Sequence, residues 1–392
     1  MHRPPRRLCW LMLLAASCAQ LQHAAAAPPA AVSPAGTPSA SAFAAALAPR
    51  RFEFPRDHGP HPDFRQEWWY VTGNLDATDG ERFGFELTFF RVALVPAAPA
   101  TTPSAGSAAA PSAGFTSAWR TRELYIAHFA VTDVARKRFR FEQKLSRAAL
   151  GLAGAQAAPL HVWLDDWALE ASGEAAPVAW ELRAEQPGYS IDLVLEPQSV
   201  PVLNGAAGLS RKSDRAADAT YYYSIPRVGV RGRLLREGQV LEVRGLAWLD
   251  REWGSGGLGP SEVGWDWFAL QLGDGSALMF YALRDRDGRR DAHSAGTWIA
   301  PDGTVRALAN ADVGIAVSGD WRNASGDRYP AGWRIRVPAL TLDLNVRPVL
   351  ADQELQTTPR YWEGAVDVSG ERAGTSLGGR GYVELVGYAQ ER

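Results

Sequence analysis

The chain has 392 residues, of which 46% are hydrophobic and 21% are charged, and its formal net charge is −2. This balance is typical of a globular protein with a sizeable core, and it excludes global disorder. It offers no cationic surplus for neutralising phosphates, so we expect no nucleic-acid partner.

Residues 1–17 have the layout of an export signal, with a basic start, an apolar run from Leu8 to Ala16 and then small residues. The run is too short for a permanent membrane span, and no later segment has about 18 uninterrupted apolar residues. The segment Leu14 to Cys18 also resembles a lipoprotein signal, with simple cleavage near residues 24–27 as the alternative. We predict an exported protein of the bacterial envelope, either periplasmic or held at the membrane only by a lipid on Cys18.

Two stretches are rich in Ala, Pro and Ser. Residues 18–51 contain almost no large apolar side chain and predict a disordered tether. Residues 96–114 have the same composition and predict a disordered loop inside the first domain. Both cysteines, Cys9 and Cys18, precede the folded part, which excludes disulfides, a cysteine nucleophile and Cys-ligated zinc from it.

Hydrophobic residues alternate with a period of two in almost every segment after residue 51, and long helical patterns are missing. Gly273-Asp274-Gly275 and Pro301-Asp302-Gly303 mark hairpin turns between such segments. Because successive hairpins build antiparallel sheets and barrels leave few exposed edges, we predict an all-β fold. Chain length and strand count favour two packed antiparallel β-barrel domains, residues 52–228 and residues 229–392.

Several predicted strands carry bulky side chains on both faces, among them Tyr221-Tyr222-Tyr223 and Trp265-Asp266-Trp267-Phe268. A barrel wall requires this pattern if one face lines the interior and the other packs against a second domain. Since small barrels can hold one ligand inside, we expect an apolar pocket.

The first candidate site is the point where Glu67 directly precedes three rings, Trp68, Trp69 and Tyr70. One interpretation is ordinary barrel wall. The alternative is a set of rings that stack on a ligand.

The second candidate site is a run of three charges, Asp250, Arg251 and Glu252, between Trp248 and Trp253. A strand sends Asp250 and Glu252 to one face and Arg251 to the other. If Asp250 is buried, desolvation raises its pKa and a paired arginine lowers it, and either result makes it a candidate acid, base or ligand clamp. The structural alternative is a buried bridge between arginine and carboxylate.

Other chemical motifs carry less weight. The sequence Gly374-Thr375-Ser376-Leu377-Gly378 matches a nucleophile elbow, but no histidine follows His293 to complete a hydrolase triad. His58, His61 and His128 are metal candidates, but Gly-Pro between the first two breaks helical spacing. Glycine-rich nucleotide motifs are missing. We therefore expect neither a metal nor a cofactor.

Five ordered motifs between about residues 52 and 388 resemble the AttH-like branch of the carotenoid 1,2-hydratase (CrtC) superfamily. They are Asp57-His58-Gly59-x-His61-Pro62, Glu67-Trp68-Trp69-Tyr70-x-Thr72-Gly73-Asn74-Leu75, His128-Phe129-Ala130-x-Thr132-Asp133, Tyr222-Tyr223-Ser224-x-Pro226-Arg227 and Trp248-Leu249-Asp250-x-Glu252-Trp253. The resemblance implies two lipocalin-like β-barrel domains packed together. One branch of that superfamily hydrates a terminal alkene of an acyclic carotenoid, and fungal relatives catalyse pericyclic cyclisations. The exported bacterial branch, which this chain resembles most, is associated with ABC transporters or named a predicted secreted hydrolase.

The resemblance also implies roles for individual residues. In the hydratase branch an aspartate that matches Asp250 is the proposed proton donor, so Asp250 is the candidate general acid. A supporting histidine of that branch would fall near Tyr221 to Tyr223, where this chain has only tyrosines, and Tyr223 is the second catalytic candidate. The candidate ligand-binding residues are Glu67, Trp68, Trp69, Tyr70, His128, Tyr221, Trp248, Glu252, Trp253, Trp265 and Trp267.

Two functions stay open at this point. The leading hypothesis is an exported lipocalin-like protein that binds a hydrophobic small molecule or lipid and associates with an ABC transporter permease. The alternative is a cofactor-free hydratase, isomerase or hydrolase that acts on an apolar, isoprenoid- or lipid-like substrate, with Asp250 as general acid. A structural protein with filled barrels is a third interpretation.

Overall fold

The computed structural model describes residues 42–97, 121–173 and 179–389. Within these ranges the chain forms β-strands, loops and three short 3-10 turns, Arg56–His58, Asn310–Asp312 and Pro338–Leu340. No helix in the described part is long and apolar enough to cross a membrane. The predicted export signal, Cys18 and most of the predicted loop 96–114 lie outside the described residues.

The first sheet is antiparallel and curls into a nearly closed barrel. Its main path runs in the order β4-β3-β2-β1-β13-β12-β9-β8-β7-β6-β5, and the short strands β10 and β11 also pair with β12. The strands are β1 Gln66–Ala77, β2 Arg82–Ala93, β3 Glu123–Asp133, β4 Arg138–Arg147, β5 Ala153–Ala157, β6 Leu160–Leu164, β7 Trp167–Ser172, β8 Ala179–Gln186, β9 Tyr189–Pro197, β10 Val202–Leu203, β11 Leu209–Arg211, β12 Ala219–Arg236 and β13 Gln239–Gly254.

The second sheet is a half-barrel that packs against the first. Its order is β17-β16-β15-β14-β25-β24-β22-β21-β18, with β23 beside β24, while β19 and β20 form a separate hairpin. The strands are β14 Glu262–Leu272, β15 Ala277–Asp285, β16 Ala295–Ile299, β17 Val305–Ala309, β18 Gly314–Val317, β19 Asp320–Arg322, β20 Arg328–Pro330, β21 Trp333–Val337, β22 Leu342–Pro348, β23 Glu354–Leu355, β24 Tyr361–Arg372 and β25 Thr375–Val386. The all-β class and the two lipocalin-like barrel domains expected from the sequence are confirmed.

The division between the two domains lies later in the chain than the predicted boundary. The boundary between residues 228 and 229 falls inside β12, which pairs with β9 on one side and with β13 on the other. Strand β13 in turn pairs with β1 along its length. Because β12 and β13 are central strands of the first sheet, the chain changes sheets only between Gly254 and Glu262.

The folded part also begins before Phe52, so it includes the last residues of the predicted tether, 18–51. Ala46 is fully buried in the core of the first barrel. The Tyr221 hydroxyl donates a hydrogen bond of 2.9 Å to the carbonyl of Ala48. The last ten residues of the predicted tether, 42–51, therefore lie against the barrel.

Alternation along the strands gives the first sheet two buried faces. The face inside the barrel is packed with large side chains, including Trp69, Phe85, Phe129, Trp167 and Trp253. The opposite face packs against the second sheet and shares one apolar cluster with it, to which Tyr70, Trp248 and Trp267 belong. Large buried side chains thus line the barrel interior, where the sequence predicted an apolar pocket.

A buried ion network closes one end of this barrel. Glu67 is fully buried and pairs with Arg91 and, at 2.9 Å, with Arg251. Arg251 also donates 2.6 Å to the carbonyl of Gly59 and so fastens the segment before β1. Burial raises the pKa of Glu67, but a hydrogen bond from His61 and the charges of both arginines outweigh it and hold that pKa well below its usual range. The arginine–carboxylate bridge considered for Arg251 therefore exists, and its partner is Glu67.

We expect Glu67→Gln to lower the free energy of unfolding by about 3–5 kcal/mol, because it leaves two buried guanidinium groups without their shared counter-charge. The matched control is Glu123→Gln, which removes the other carboxylate on Arg91, 2.9 Å away and partly exposed. That change should cost about 0–1 kcal/mol. Urea denaturation of the three proteins measures both values, and similar losses in the two variants would contradict the role given to Glu67.

Candidate active site between the two sheets

The candidate site lies where the outer face of β1, β2, β12 and β13 meets β14, β24 and β25. Strand pairing places Ser224 opposite Asp250 and Tyr222 opposite Glu252. Side chains of directly opposed residues point to the same face of a sheet. All four therefore face the second sheet, while Arg251 faces the barrel interior.

Asp250 is the centre of a set of three hydrogen bonds. It is only 4% exposed. Its Oδ2 accepts from the Tyr222 hydroxyl at 2.5 Å, and its Oδ1 accepts from the Ser224 hydroxyl at 2.5 Å and from Trp248 Nε1 at 2.7 Å. Trp267 reaches across from the second sheet and donates to the Tyr222 oxygen at 3.0 Å. Both sheets thus fix the orientation of the Asp250 carboxyl.

The environment of Asp250 moves its titration to neutral pH. Burial raises its pKa to about 7, with a further increase from the charge of Glu252, although the hydrogen bonds from Ser224, Tyr222 and Trp248 oppose the shift. A carboxyl with that pKa is present in both protonation states near pH 7. Such a group can give up and regain a proton during a reaction.

Glu252, next to this centre, has a cationic partner. Lys212 Nζ lies 3.0 Å from Glu252 Oε1, and the Thr220 hydroxyl donates to the same oxygen. The ammonium group also lies 4.3 Å from the ring centroid of Tyr281 on the second sheet. The Lys212–Glu252 pair therefore occupies the flank of the site, and Asp250 keeps no direct cationic partner among the described residues.

Three further acids, the carboxyl cluster Glu86, Glu363 and Glu384, lie in the same interface. Glu363 and Glu384 are directly opposed on β24 and β25. Tyr70 donates to Glu363 at 2.7 Å, and the indole of Trp265 donates to Glu384.

The pKa of every acid in the carboxyl cluster is raised. Burial is the largest cause for each, and the cluster's own charges add to it for Glu86 and Glu363. The pKa of Glu384 rises to about 7, with contributions from Asp250 and Glu252. The main causes of these pKa shifts include no lysine or arginine of the described residues. The cluster therefore holds protons at a pH where carboxyl groups are ordinarily ionised.

Several buried oxygens of this interface lack a hydrogen-bond partner of ordinary geometry among the described residues. They are Thr72 Oγ1, Glu86 Oε2, Thr88 Oγ1 and Glu363 Oε2. Thr72 lies opposite Glu86 in the pairing of β1 and β2, so their side chains share a face. Buried polar atoms are almost always satisfied in folded proteins, and an unsatisfied one calls for an explanation such as strain, a bound water or ion, or a catalytic role. The interface is therefore the best candidate for a functional site in the described chain.

His128 positions the carboxyl cluster. The amide nitrogen of Gln143 lies 2.9 Å from His128 Nε2, and its orientation is fixed by a second bond of 2.9 Å to the carbonyl of Thr358. His128 Nε2 therefore accepts, and Nδ1 donates to the Tyr361 hydroxyl at 2.7 Å. Tyr361 in turn donates to Glu86 at 3.4 Å. Burial lowers the pKa of His128 to about 3, so the ring is neutral.

The structure divides the predicted site residues between the two faces of the first sheet. Those at or beside the interface are Asp250, Trp68, Tyr70, His128, Trp248, Glu252, Trp265 and Trp267. Those inside the barrel are Glu67, Trp69, Tyr221, Tyr223 and Trp253.

Tyr223 does not meet Asp250. It lies opposite Arg251 in the strand pairing, and its hydroxyl contacts His58 Nδ1 at 2.6 Å. The neighbouring Tyr222 takes the position by Asp250, because a shift of one residue along a strand changes the face.

Sequence reasoning missed five members of the site. Tyr222 and Ser224 belong to a motif that it had already singled out, and knowledge of the register between β12 and β13 would have identified them. The acids Glu86, Glu363 and Glu384 carried no local signal, since Glu86 on β2 is far along the chain from the β24–β25 hairpin that carries the other two.

Fold and site together define the class: a two-domain, lipocalin-like β protein with an acid-rich site between its sheets. The family model described as AttH-like matches residues 45–388, and the chain belongs to that family. The crystal structure of an AttH from Nitrosomonas europaea is similar at a TM-score of 0.75 and 35% identity, covering 88% of this chain and 100% of that one.

Two further similar proteins are named as a hydratase and a dehydratase. Kievitone hydratase from Nectria haematococca has a similar structure, with a TM-score of 0.64 over 90% of this chain and 98% of that one. Its identity is 16%, so this likeness concerns the fold alone. The dehydratase asqC of Emericella nidulans is 26% identical over 223 residues, or 52% of this chain. The match spans 60% of the length of that relative.

Asp250 should make stability depend on pH in a defined direction. Its pKa of about 7 in the folded protein exceeds the ordinary value of 3.8, so the native state binds the proton more tightly than the unfolded state. The resulting stabilisation is complete below about pH 4 and is lost as the pH rises toward 7. Relative to Asp250→Asn, the wild-type protein should therefore lose up to about 4 kcal/mol of unfolding free energy across that window, at about 1.4 kcal/mol per pKa unit.

Urea denaturation of wild type and Asp250→Asn between pH 4 and 8 measures this difference. The exposed Asp302→Asn provides a control that should show no comparable decline. A difference that stays constant or grows with pH would exclude a raised pKa at Asp250.

Proposed function

We propose that this protein is a cofactor-free lyase that removes water from, or adds water to, an apolar substrate between its two sheets. The observation that carries the proposal is Asp250, a buried carboxyl oriented by Tyr222, Ser224 and Trp248 whose pKa lies near 7. The similarity to a dehydratase over about half of the chain supports the same reaction class.

In the dehydration direction, protonated Asp250 gives its proton to the hydroxyl of the substrate. The carbon–oxygen bond breaks, water leaves, and positive charge develops on carbon. The three donors on Asp250 stabilise the carboxylate that remains. The rings of Trp248 and Trp267, 6.3 Å apart, stabilise the cationic carbon.

A second group must take a proton from the neighbouring carbon to form the alkene. Glu384 is suited to this step because its pKa lies at about 7 and its charge interacts with that of Asp250. Trp267 lies opposite Glu384 on the adjacent strand, so the two carboxyls flank one aromatic wall. Hydration follows the same path in reverse, with protonated Glu384 giving its proton to the alkene carbon and the Asp250 carboxylate taking a proton from the attacking water.

The same site weighs against simple binding of an apolar molecule. A binding pocket for a lipid gains nothing from four buried acids, each of which costs desolvation free energy. Acids in such an environment are typical of proton transfer. The predicted export, lipid anchor and association with an ABC transporter permease stay predictions of the sequence.

Asp250→Asn should lower kcat/KM by about 10²–10⁴-fold, the usual range for losing a general acid. The assay incubates protein with a panel of isoprenoid and aliphatic alcohols and alkenes in ¹⁸O-labelled water, and mass spectrometry detects loss of water or uptake of label. Full turnover by the Asn variant, or no turnover of any panel member by wild type, would refute the proposal.

Asp266→Asn is the matched control for this experiment. Asp266 is also a buried acid on β14, but it pairs with Arg284 at 2.9 Å and accepts from Tyr388 at 2.8 Å, on the far side of the second sheet. Its replacement should reduce stability and leave kcat/KM of the remaining folded enzyme within about threefold of wild type.

A further inference from the structure

A recess of about 340 Å³ opens at one end of the interface between the sheets. Both sheets contribute to its wall, the first through β1, β12 and β13 and the second through β14 and β25. The residues that line it include Asn74, Asp76, Arg227, Leu246 and Arg380.

Arg227 enters this wall because β12 is irregular at that point. The pairing of β12 with β13 shifts between Ile225 and Val228, which leaves Pro226 and Arg227 outside the regular ladder. The side-chain amide of Gln271 holds the irregularity in place through bonds of 2.8 Å to the carbonyl of Pro226 and 2.9 Å to that of Ala247. Such bulges commonly redirect a side chain next to a functional site.

The guanidinium of Arg227 is unpaired within the described chain. Its Nη1 is buried and has no hydrogen-bond partner there. The other cation of the recess, Arg380, is neutralised by Asp76 at 2.8 Å. The buried Arg91 and Arg251 likewise have Glu67 as a partner. A partly buried cation without a counter-ion is costly, so Arg227 is prepared for an anion from outside the described chain.

We infer that the recess is a subsite for an anionic group, a carboxylate or phosphate, held by Arg227. A guanidinium offers two parallel donors to such a group and binds it in a defined orientation. Leu246 supplies apolar wall for hydrocarbon attached to the anion. This site is separate from Asp250 and does not depend on the proposed reaction.

Titration calorimetry of the full chain tests the subsite with octanoate, inorganic phosphate and uncharged octanol. Octanoate, phosphate or both should bind, and Arg227→Gln should weaken that binding at least tenfold. Arg231→Gln is the matched control, since Arg231 lies on the same strand, is 64% exposed and pairs with Glu196. The affinity of the Arg231→Gln variant for each anion should stay within twofold of the wild-type affinity.

The two anions distinguish the source of the ligand. Octanoate binding tighter than phosphate indicates the charged end of an amphipathic molecule, and equal or tighter phosphate binding indicates a free anion. If Arg227→Gln does not fold, two other measurements take its place: the variant Arg227→Lys, and the wild-type protein with added chloride as a competing anion. Each should weaken octanoate binding severalfold and leave octanol binding unchanged. Failure of both anions to bind, or binding that these changes leave intact, would overturn the inference.

Discussion

The charged run in β13 imposes the constraint on which the rest of the structure depends. Because side chains alternate along a strand, Arg251 must enter the barrel while Asp250 and Glu252 leave it on the other face. Arg251 can be buried only with a counter-charge, which Glu67 on the neighbouring strand provides. Asp250 and Glu252, which point out of the barrel, are buried only because the second sheet covers them.

The two faces of one sheet therefore give carboxyl groups opposite properties. Inside the barrel, two arginines and a histidine surround Glu67, and its pKa falls. Outside it, Asp250 has only neutral donors and Glu384 lies among other acids, and both pKa values rise to about 7. The first arrangement stabilises structure. The second costs stability and provides proton donors near neutral pH, which is why we place chemistry on the outer face.

This view changes the role of the aromatic residues. The rings inside the barrel, among them Trp69, Tyr223 and Trp253, belong to its hydrophobic core. The rings between the sheets, Trp248 and Trp267, contact the acid and its donors. The chain belongs to the AttH-like family, and its similarity to a dehydratase covers 52% of its length.

The sequence by itself determined the all-β class and the pair of barrel domains, and it singled out Asp250 as a candidate, because period-two alternation, hairpin turns and ordered motifs are local properties of the chain. Even the separation of Arg251 from Asp250 follows from local alternation. The tertiary structure alone decided the domain boundary, the choice of Tyr222 over Tyr223 and the placement of Glu384 on the interface that Asp250 faces. These three features depend on strand register and on the packing of residues that are distant in the chain. Sequence alone does not determine them, because a pattern of period two is the same for every register that keeps the same face buried.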